Sequence, residues 1–138
     1  MGIKGVATEK QKETLLGFGI EPPPTKSACF HLLSFIFEVN WKNMNKFEKA
    51  AFVKKMQWEW IGAKVVMRLD EGWDEANPGK VAYITINSHL REFIEDRQEG
   101  IIDNPFSLFR FFVISQDGKS RGLMAPSHIK RIDDDSQS

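Results

Sequence analysis

Lysine and tryptophan side chains crowd together between residues 42 and 60, and this pairing of types can bind nucleic acid. Lysine ammonium groups neutralise phosphates, and an exposed indole offers a flat surface on which an unpaired base stacks. The indoles are Trp58 and Trp60, which can alternatively pack the first half of the chain against the second. The hypothesis requires the lysines to lie together on one exposed side of the molecule. These lysines are Lys42, Lys46, Lys49, Lys54 and Lys55.

A second candidate set lies in the second half of the chain. Arg68, Arg110 and Arg121, together with Tyr83, are expected to project outward from adjacent strands. Tyr83 can also belong to the core, because the alternation of residues along its strand does not decide its side. Without nucleic acid, the arginines would only keep the sheet soluble. The candidates for contact with a protein partner are Trp73, Tyr83 and Phe93.

Four carboxylates within residues 70–75 surround Trp73, and oxygen ligands of this kind suit Mg²⁺ or Ca²⁺. Their spacing is not that of an EF-hand, so a solvated acidic turn is the preferred interpretation. The three histidines have no Cys or His at ligand spacing, and neither Gly-x-Ser-x-Gly nor a Walker-type phosphate loop is present. The sequence therefore predicts no metal, no cofactor and no enzymatic activity.

The composition bounds the class of protein. The chain has 138 residues, 41% of them hydrophobic and 12% aromatic, which suits one domain or two small ones sharing a core. Its single cysteine, Cys29, is expected to be a small buried hydrophobe. Residues 1–69 carry a net charge of +5 and residues 70–138 a net charge of −5, which favours a polyanionic partner or docking between polar surfaces. No apolar run reaches membrane-spanning length and no secretion signal opens the chain, so the predicted location is cytoplasmic.

Capping residues predict three helices in the first half. Thr8 and Gln11 form a capping box, and the first helix ends at Gly17. After three prolines, Thr25 is the predicted N-cap of a helix whose apolar residues recur every three or four positions. Asn45 begins a third helix that is expected to run to about residue 58.

The hydrophobic period changes at residue 61. Ala63, Val65, Met67 and Leu69 alternate with Lys64, Val66 and Arg68, which predicts a strand with one buried face. Further strands are expected at residues 80–86, 107–115, 120–124 and 129–132, with a tight Asp117-Gly118 hairpin and a one-turn bend at residues 125–128. A short charged helix is expected at residues 90–98.

Residues 61–132 resemble small SH3-like barrels of the Tudor or KOW kind. The resemblance is carried by Gly62–Val65, Gly79–Val81, Asp117–Lys119 and Ala125–Ile129. The charged insertion at residues 87–106 departs from it. The resemblance implies an antiparallel barrel, and such barrels bind nucleic acid, peptides or neighbouring subunits.

The first helices resemble a short helical unit appended to some helicases, exonucleases and phage or plasmid proteins. In those proteins the unit is presumed to assist contact with DNA or RNA and carries no chemistry itself. The Pro22–Pro24 spacer and Phe30 are less typical of it. The matching positions are Thr8, Gln11, Leu16, Gly17, Thr25, Lys26 and Ala28.

Together these patterns predict an α+β protein: a helical unit at residues 1–60, an SH3-like antiparallel β-barrel at 61–132 with a helical insertion at 87–106, and a disordered acidic tail at 133–138. The predicted function is that of a non-enzymatic accessory protein in nucleic-acid transactions, binding the phosphate backbone, a protein partner or both. The alternative is a protein-binding adaptor or inhibitor of the phage or mobile-element type that makes no contact with DNA or RNA. The neutral net charge and the insertion favour that alternative.

Overall fold

A computed structural model describes residues 5–90, 92 and 105–132. Within these residues three helices precede five strands, so the α+β class is confirmed. The helices are α1 (Glu9–Gly17), α2 (Lys26–Glu38) and α3 (Lys46–Trp60). The strands are β1 (Lys64–Met67), β2 (Gly79–Ile86), β3 (Phe109–Ser115), β4 (Arg121–Met124) and β5 (Ile129–Arg131), and short 3₁₀ turns precede β3 and β5.

The helix N-termini lie where their capping residues predict. In α1 the Thr8 hydroxyl accepts from the Gln11 amide at 3.1 Å, and the Gln11 side chain accepts from the Thr8 amide at 3.0 Å. The same reciprocal box joins Asn45 and Glu48 at the start of α3. Each box satisfies two amides that would otherwise lack a partner in the first turn. The third helix continues to Trp60, two residues beyond the predicted end.

The strands form one antiparallel sheet in the order β4-β3-β2-β1-β5. The sheet is not closed, so the predicted barrel is not confirmed. The predicted bend before the last strand is the 3₁₀ turn Pro126–His128. The predicted helix at 90–98 is described only at residues 90 and 92. Phe93, most of the insertion and the tail at 133–138 lie outside the described residues.

The prediction that β1 buries only one face is wrong. Val65 and Val66 are both buried, at 0% and 1% exposure, whereas Leu69 is half exposed. Strand β1 lies inside the sheet between β2 and β5, and the following loop folds back along it. The Asp74 amide donates to the Met67 carbonyl at 2.8 Å, so both neighbouring strands and the loop cover β1.

One hydrophobic core draws residues from both halves of the chain. Aromatic rings connect the helices to the sheet: Trp41 lies 5.5 Å from Phe52, which lies 5.4 Å from Phe109. Trp60 packs on Phe111 at 5.1 Å and so joins the two halves. Trp58 does not, because it is 84% exposed.

Candidate nucleic-acid interface

The sheet has one face on the core and one that is largely open. In β3, Phe109, Phe111 and Val113 are buried, while Arg110, Phe112 and Ile114 alternate with them and are partly or fully exposed. Residues paired directly across an antiparallel sheet point to the same side. The registers therefore extend the β3 set into three cross-strand rows, which we call the open face. The rows are Thr85–Arg110, Tyr83–Phe112–Leu123 and Lys64–Lys80–Ile114–Arg121.

The middle row is aromatic and apolar. The Tyr83 and Phe112 rings stack with centroids 4.8 Å apart and planes at 8°, and Leu123 beside them is half exposed. The register of β2 against β3 shifts between Val81 and Tyr83. Simple alternation fails at such an irregularity, which is why the sequence alone left the side of Tyr83 open.

A basic row crosses the sheet next to the aromatic one. Lys64, Lys80 and Arg121 come from β1, β2 and β4, and all three are exposed around Ile114. Arg121 was predicted for this surface from the sequence, whereas Lys64 and Lys80 were not predicted as binding residues. Each was a lysine in a predicted strand, but only the strand register places them in one row.

At the β1–β5 edge of the sheet, Arg68 and Trp73 lie side by side. They form an isolated β-bridge, and the Arg68 amide donates to the His128 carbonyl at 2.9 Å. The Lys130 ammonium lies 5.2 Å from the centre of the Trp73 ring. The acidic loop of residues 70–75 surrounds Trp73, so negative charge borders this edge.

At the other end of the open face, a cleft of about 680 Å³ lies between the start of α2 and the sheet. The Thr85 hydroxyl donates to the Ala28 carbonyl at 2.7 Å and fastens the helix to β2. Arg110 donates to the carbonyls of Ser107 and Phe109 at 3.0 and 2.8 Å. Its position is thus set by its own strand. Polar residues that line the cleft include Thr25, Ser27, His31, Tyr83, Asn87 and Arg110.

Burial perturbs three ionisable groups of this cleft. It lowers the pKa of Arg110, which still remains protonated. It raises the pKa of Tyr83, and a hydrogen bond with the Thr25 side chain works in the opposite direction. Burial also lowers the pKa of His31, with a smaller contribution from repulsion by His89. At neutral pH the described residues that line the cleft therefore supply one permanent cation, Arg110, and neutral hydrogen-bonding groups.

The structure does not bring the α3 lysines into one exposed patch. Lys49 is only 4% exposed: its ammonium donates to the Val39 carbonyl at 2.5 Å, and burial lowers its pKa. Lys46 and Lys55 are nine residues, or about two and a half turns, apart and so lie on opposite sides of the helix. The Lys54 side chain packs against Gly19, and the Lys42 ammonium lies 4.9 Å from the centre of the Trp41 ring. The expected continuous lysine surface is absent because the helix distributes these positions around its axis.

No family model matches the chain, and no curated protein or solved structure is significantly similar to it. Among residues 5–90, 92 and 105–132, no helix has the length and apolar character needed to cross a bilayer. Within the same ranges, no three His, Cys, Asp or Glu side chains are grouped so that they could hold a metal ion.

Proposed function

We propose that this chain is a non-enzymatic accessory protein that binds single-stranded nucleic acid on the open face of its sheet. One juxtaposition carries the proposal: the stacked pair Tyr83–Phe112 lies between Arg110 on one side and the basic row containing Lys80 and Arg121 on the other. Cations that bind phosphates flank rings on which bases stack. No acidic residue occurs in the three rows.

The spacing suits an extended strand of nucleic acid better than a compact ligand. From Arg110 to Ile114 the chain rises about 13 Å along β3, at about 3.3 Å per residue. The aromatic row lies midway. Phosphates contacting both basic ends would leave the intervening base over Phe112 and Tyr83. Stacking of this kind tolerates any base, so we expect little sequence preference.

We further infer that the sheet is of the SH3-like type. The strand order β4-β3-β2-β1-β5 and the 3₁₀ turn immediately before β5 support this inference. The helical unit packs on the core face and also reaches the Thr85 end of the open face, where Thr85 donates to the Ala28 carbonyl. The residues of the basic row do not line the cleft at that end. The origin of the chain in a phage or mobile element stays a prediction from the sequence, and so does its cytoplasmic location.

A binding titration at several salt concentrations tests the proposal. We expect a fluorescent oligothymidylate, and its RNA counterpart, to bind at low salt and to dissociate as salt rises. Arg121→Ala and Lys80→Ala should each weaken binding and reduce the slope of log affinity against log salt by about 0.7. Lys10→Ala, on α1, is the matched control and should change neither quantity.

Three results would contradict the proposal. They are an absence of binding at low salt, an affinity independent of salt, and an effect of Lys10→Ala as large as that of Arg121→Ala. The second candidate function, a protein-binding adaptor or inhibitor, is favoured by exposed Ile114 and Leu123 on the same face. A stoichiometric protein partner captured by the wild-type chain but not by Leu123→Ala, without affinity for oligonucleotides, would establish that alternative.

A further inference from the structure

The outer side of α3 carries large apolar side chains that are mostly exposed to solvent. Trp58 is 84% exposed and Phe47 is 65% exposed, and Ala51 between them is also open. With Lys54 they follow one another at intervals of four, three and four residues. This spacing places all four in one seam along the helix. The seam shares no residue with the three sheet rows and is not used by the proposed function.

A groove of about 500 Å³ runs beside this seam, between α1 and α3. Phe18 forms its end and contacts Phe47, with ring centroids 6.0 Å apart. The floor includes Ala50 and Ala51, and small residues there leave room for a large side chain. Glu13 and Thr14 supply oxygen atoms at the groove lining that can accept a hydrogen bond.

We propose that two copies of this chain associate antiparallel through α3, with Trp58 of each copy seated in the α1–α3 groove of the other. A two-fold axis midway between Ala51 and Lys54 places Trp58 level with Phe47 of the second copy. The same axis places the small Ala51 opposite the long Lys54. Trp58 and Phe47 thus meet at both ends of the interface. The small Ala51 allows the two helices to approach each other closely at its centre.

The position of Lys54 agrees with this packing. Its terminal carbon and nitrogen atoms lie within 3.4 Å of where a Cβ on Gly19 would stand, so its stem follows the turn after α1. The ammonium group is therefore directed along the surface of its own chain. A lysine stem laid flat in this way covers apolar surface while its charge stays in water.

Charge complementarity selects a second copy as the occupant. Glu48 and Lys55 each follow a seam residue, Phe47 and Lys54, by one position, so both lie on the same flank of the seam. In the antiparallel pair Glu48 of one copy approaches Lys55 of the other, and the symmetry repeats the contact. Both side chains are exposed. Within one chain Lys55 lies 4.0 Å from Glu59 and Glu48 accepts from the Asn45 amide, so the contacts between copies would add to these. Two opposite-charge contacts then border one flank of the apolar seam, as flanking charges do in paired helices.

Sedimentation velocity on the full chain over a concentration series tests the proposal. We expect a dimer of twice the 15.9 kDa chain mass. Ala51→Arg is the principal variant, because arginine favours the helix and Ala51 is exposed, so folding should be retained while the seam is blocked. This variant and Trp58→Ala should weaken dimerisation by tenfold or more. Leu69→Ala, which removes an exposed apolar side chain elsewhere, is the control and should leave the dimer intact.

A charge exchange tests the orientation of the pair. Lys55→Glu alone should weaken the dimer because it faces Glu48, and the double variant Glu48→Lys/Lys55→Glu should restore it. Since Glu48→Lys also removes a helix cap, far-UV circular dichroism and thermal unfolding accompany the measurement.

Three outcomes would overturn the proposal. One is a chain that stays monomeric at concentrations up to about 1 mM, because a dimer with a Kd of about 1 mM or below would be populated there. Another is a dimer that survives both Ala51→Arg and Trp58→Ala. The third is a monomer whose affinity for oligonucleotides falls with Trp58→Ala, which would make Trp58 a base-stacking platform. Loss of oligonucleotide binding by Arg121→Ala without a change in mass bears only on the proposed function, so the two proposals fail separately.

Discussion

Tyr83 and Phe112 lie face to face across β2 and β3, with ring centroids 4.8 Å apart and planes at 8°. Each ring packs on one face of the other, and each is carried by a different strand of the sheet. Such a pair is a rigid platform, and binding on it requires little further ordering of side chains.

Removal of one ring from this platform should weaken nucleic-acid binding. We expect Phe112→Ala to lower the affinity for a single-stranded oligonucleotide by about 1–3 kcal/mol, the contribution of stacking one base. The lost ring pair should also cost about 0.5–1.5 kcal/mol of folding stability. Anisotropy titration and urea unfolding measure the two effects separately. An unchanged affinity in a folded variant would show that bases do not stack here, and Lys10→Ala on α1 serves as the distant control.

The buried ammonium of Lys49 should make folding stability depend on alkaline pH. Burial lowers its pKa in the folded state below the ordinary value of 10.5. Between these two pKa values the unfolded chain binds more protons, so the free energy of unfolding should increase as pH rises through that window. Lys49→Met removes the titrating group and should remove this increase. Urea unfolding of both proteins at neutral and alkaline pH gives the comparison, and parallel pH profiles would refute the assignment.

Acidification should destabilise the protein through His31. Burial first, and repulsion by His89 second, lower the pKa of His31 below its ordinary value of 6.5. As pH falls from 6.5 to the lowered pKa, the unfolded chain takes up the proton more readily, so the free energy of unfolding decreases. His31→Asn should reduce this decrease. His128→Asn, at an exposed position, is the control and should retain the wild-type profile in urea unfolding at mildly acidic pH.

Two glycine-to-alanine substitutions should change stability in opposite directions. A Cβ on Gly79 would lie 2.7 Å from the Ile114 carbonyl oxygen and 2.8 Å from a Val113 methyl group. Strands β2 and β3 would have to separate, and we expect a loss of about 1–3 kcal/mol. Nothing lies within 4 Å of a Cβ on Gly17, the last residue of α1. Gly17→Ala should therefore gain about 0.5–1 kcal/mol. Thermal unfolding compares the two variants, and equal melting temperatures would contradict the close approach at Gly79.

Local patterns predicted the helices because capping is a local interaction. Thr8 with Gln11 and Asn45 with Glu48 lie three residues apart, so each box is visible in the sequence and recurs in the structure. The end of α3 was less predictable. Its last residue, Trp60, is partly buried against Phe111 of a distant strand, and this packing has no local signature.

The residues of the candidate site were likewise only partly predictable from local sequence patterns. Arg110, Arg121 and Tyr83 were selected from strand patterns, whereas Lys64 and Lys80 join them only through the register of four strands. Lys49 was misjudged because a lysine in an amphipathic helix is usually exposed. Its burial depends on the Val39 carbonyl, ten residues away, which accepts from its ammonium.

The sequence by itself determined the helix starts, the change to strands near residue 61, the hairpin at Asp117-Gly118 and the bend before the last strand. These features depend on backbone geometry and hydrogen bonds within a few residues. Only the tertiary structure decided which cations share a face, on which side Tyr83 lies and that Lys49 is buried. Each of these depends on the pairing of distant segments, where a shift of one residue in register moves a side chain to the other face.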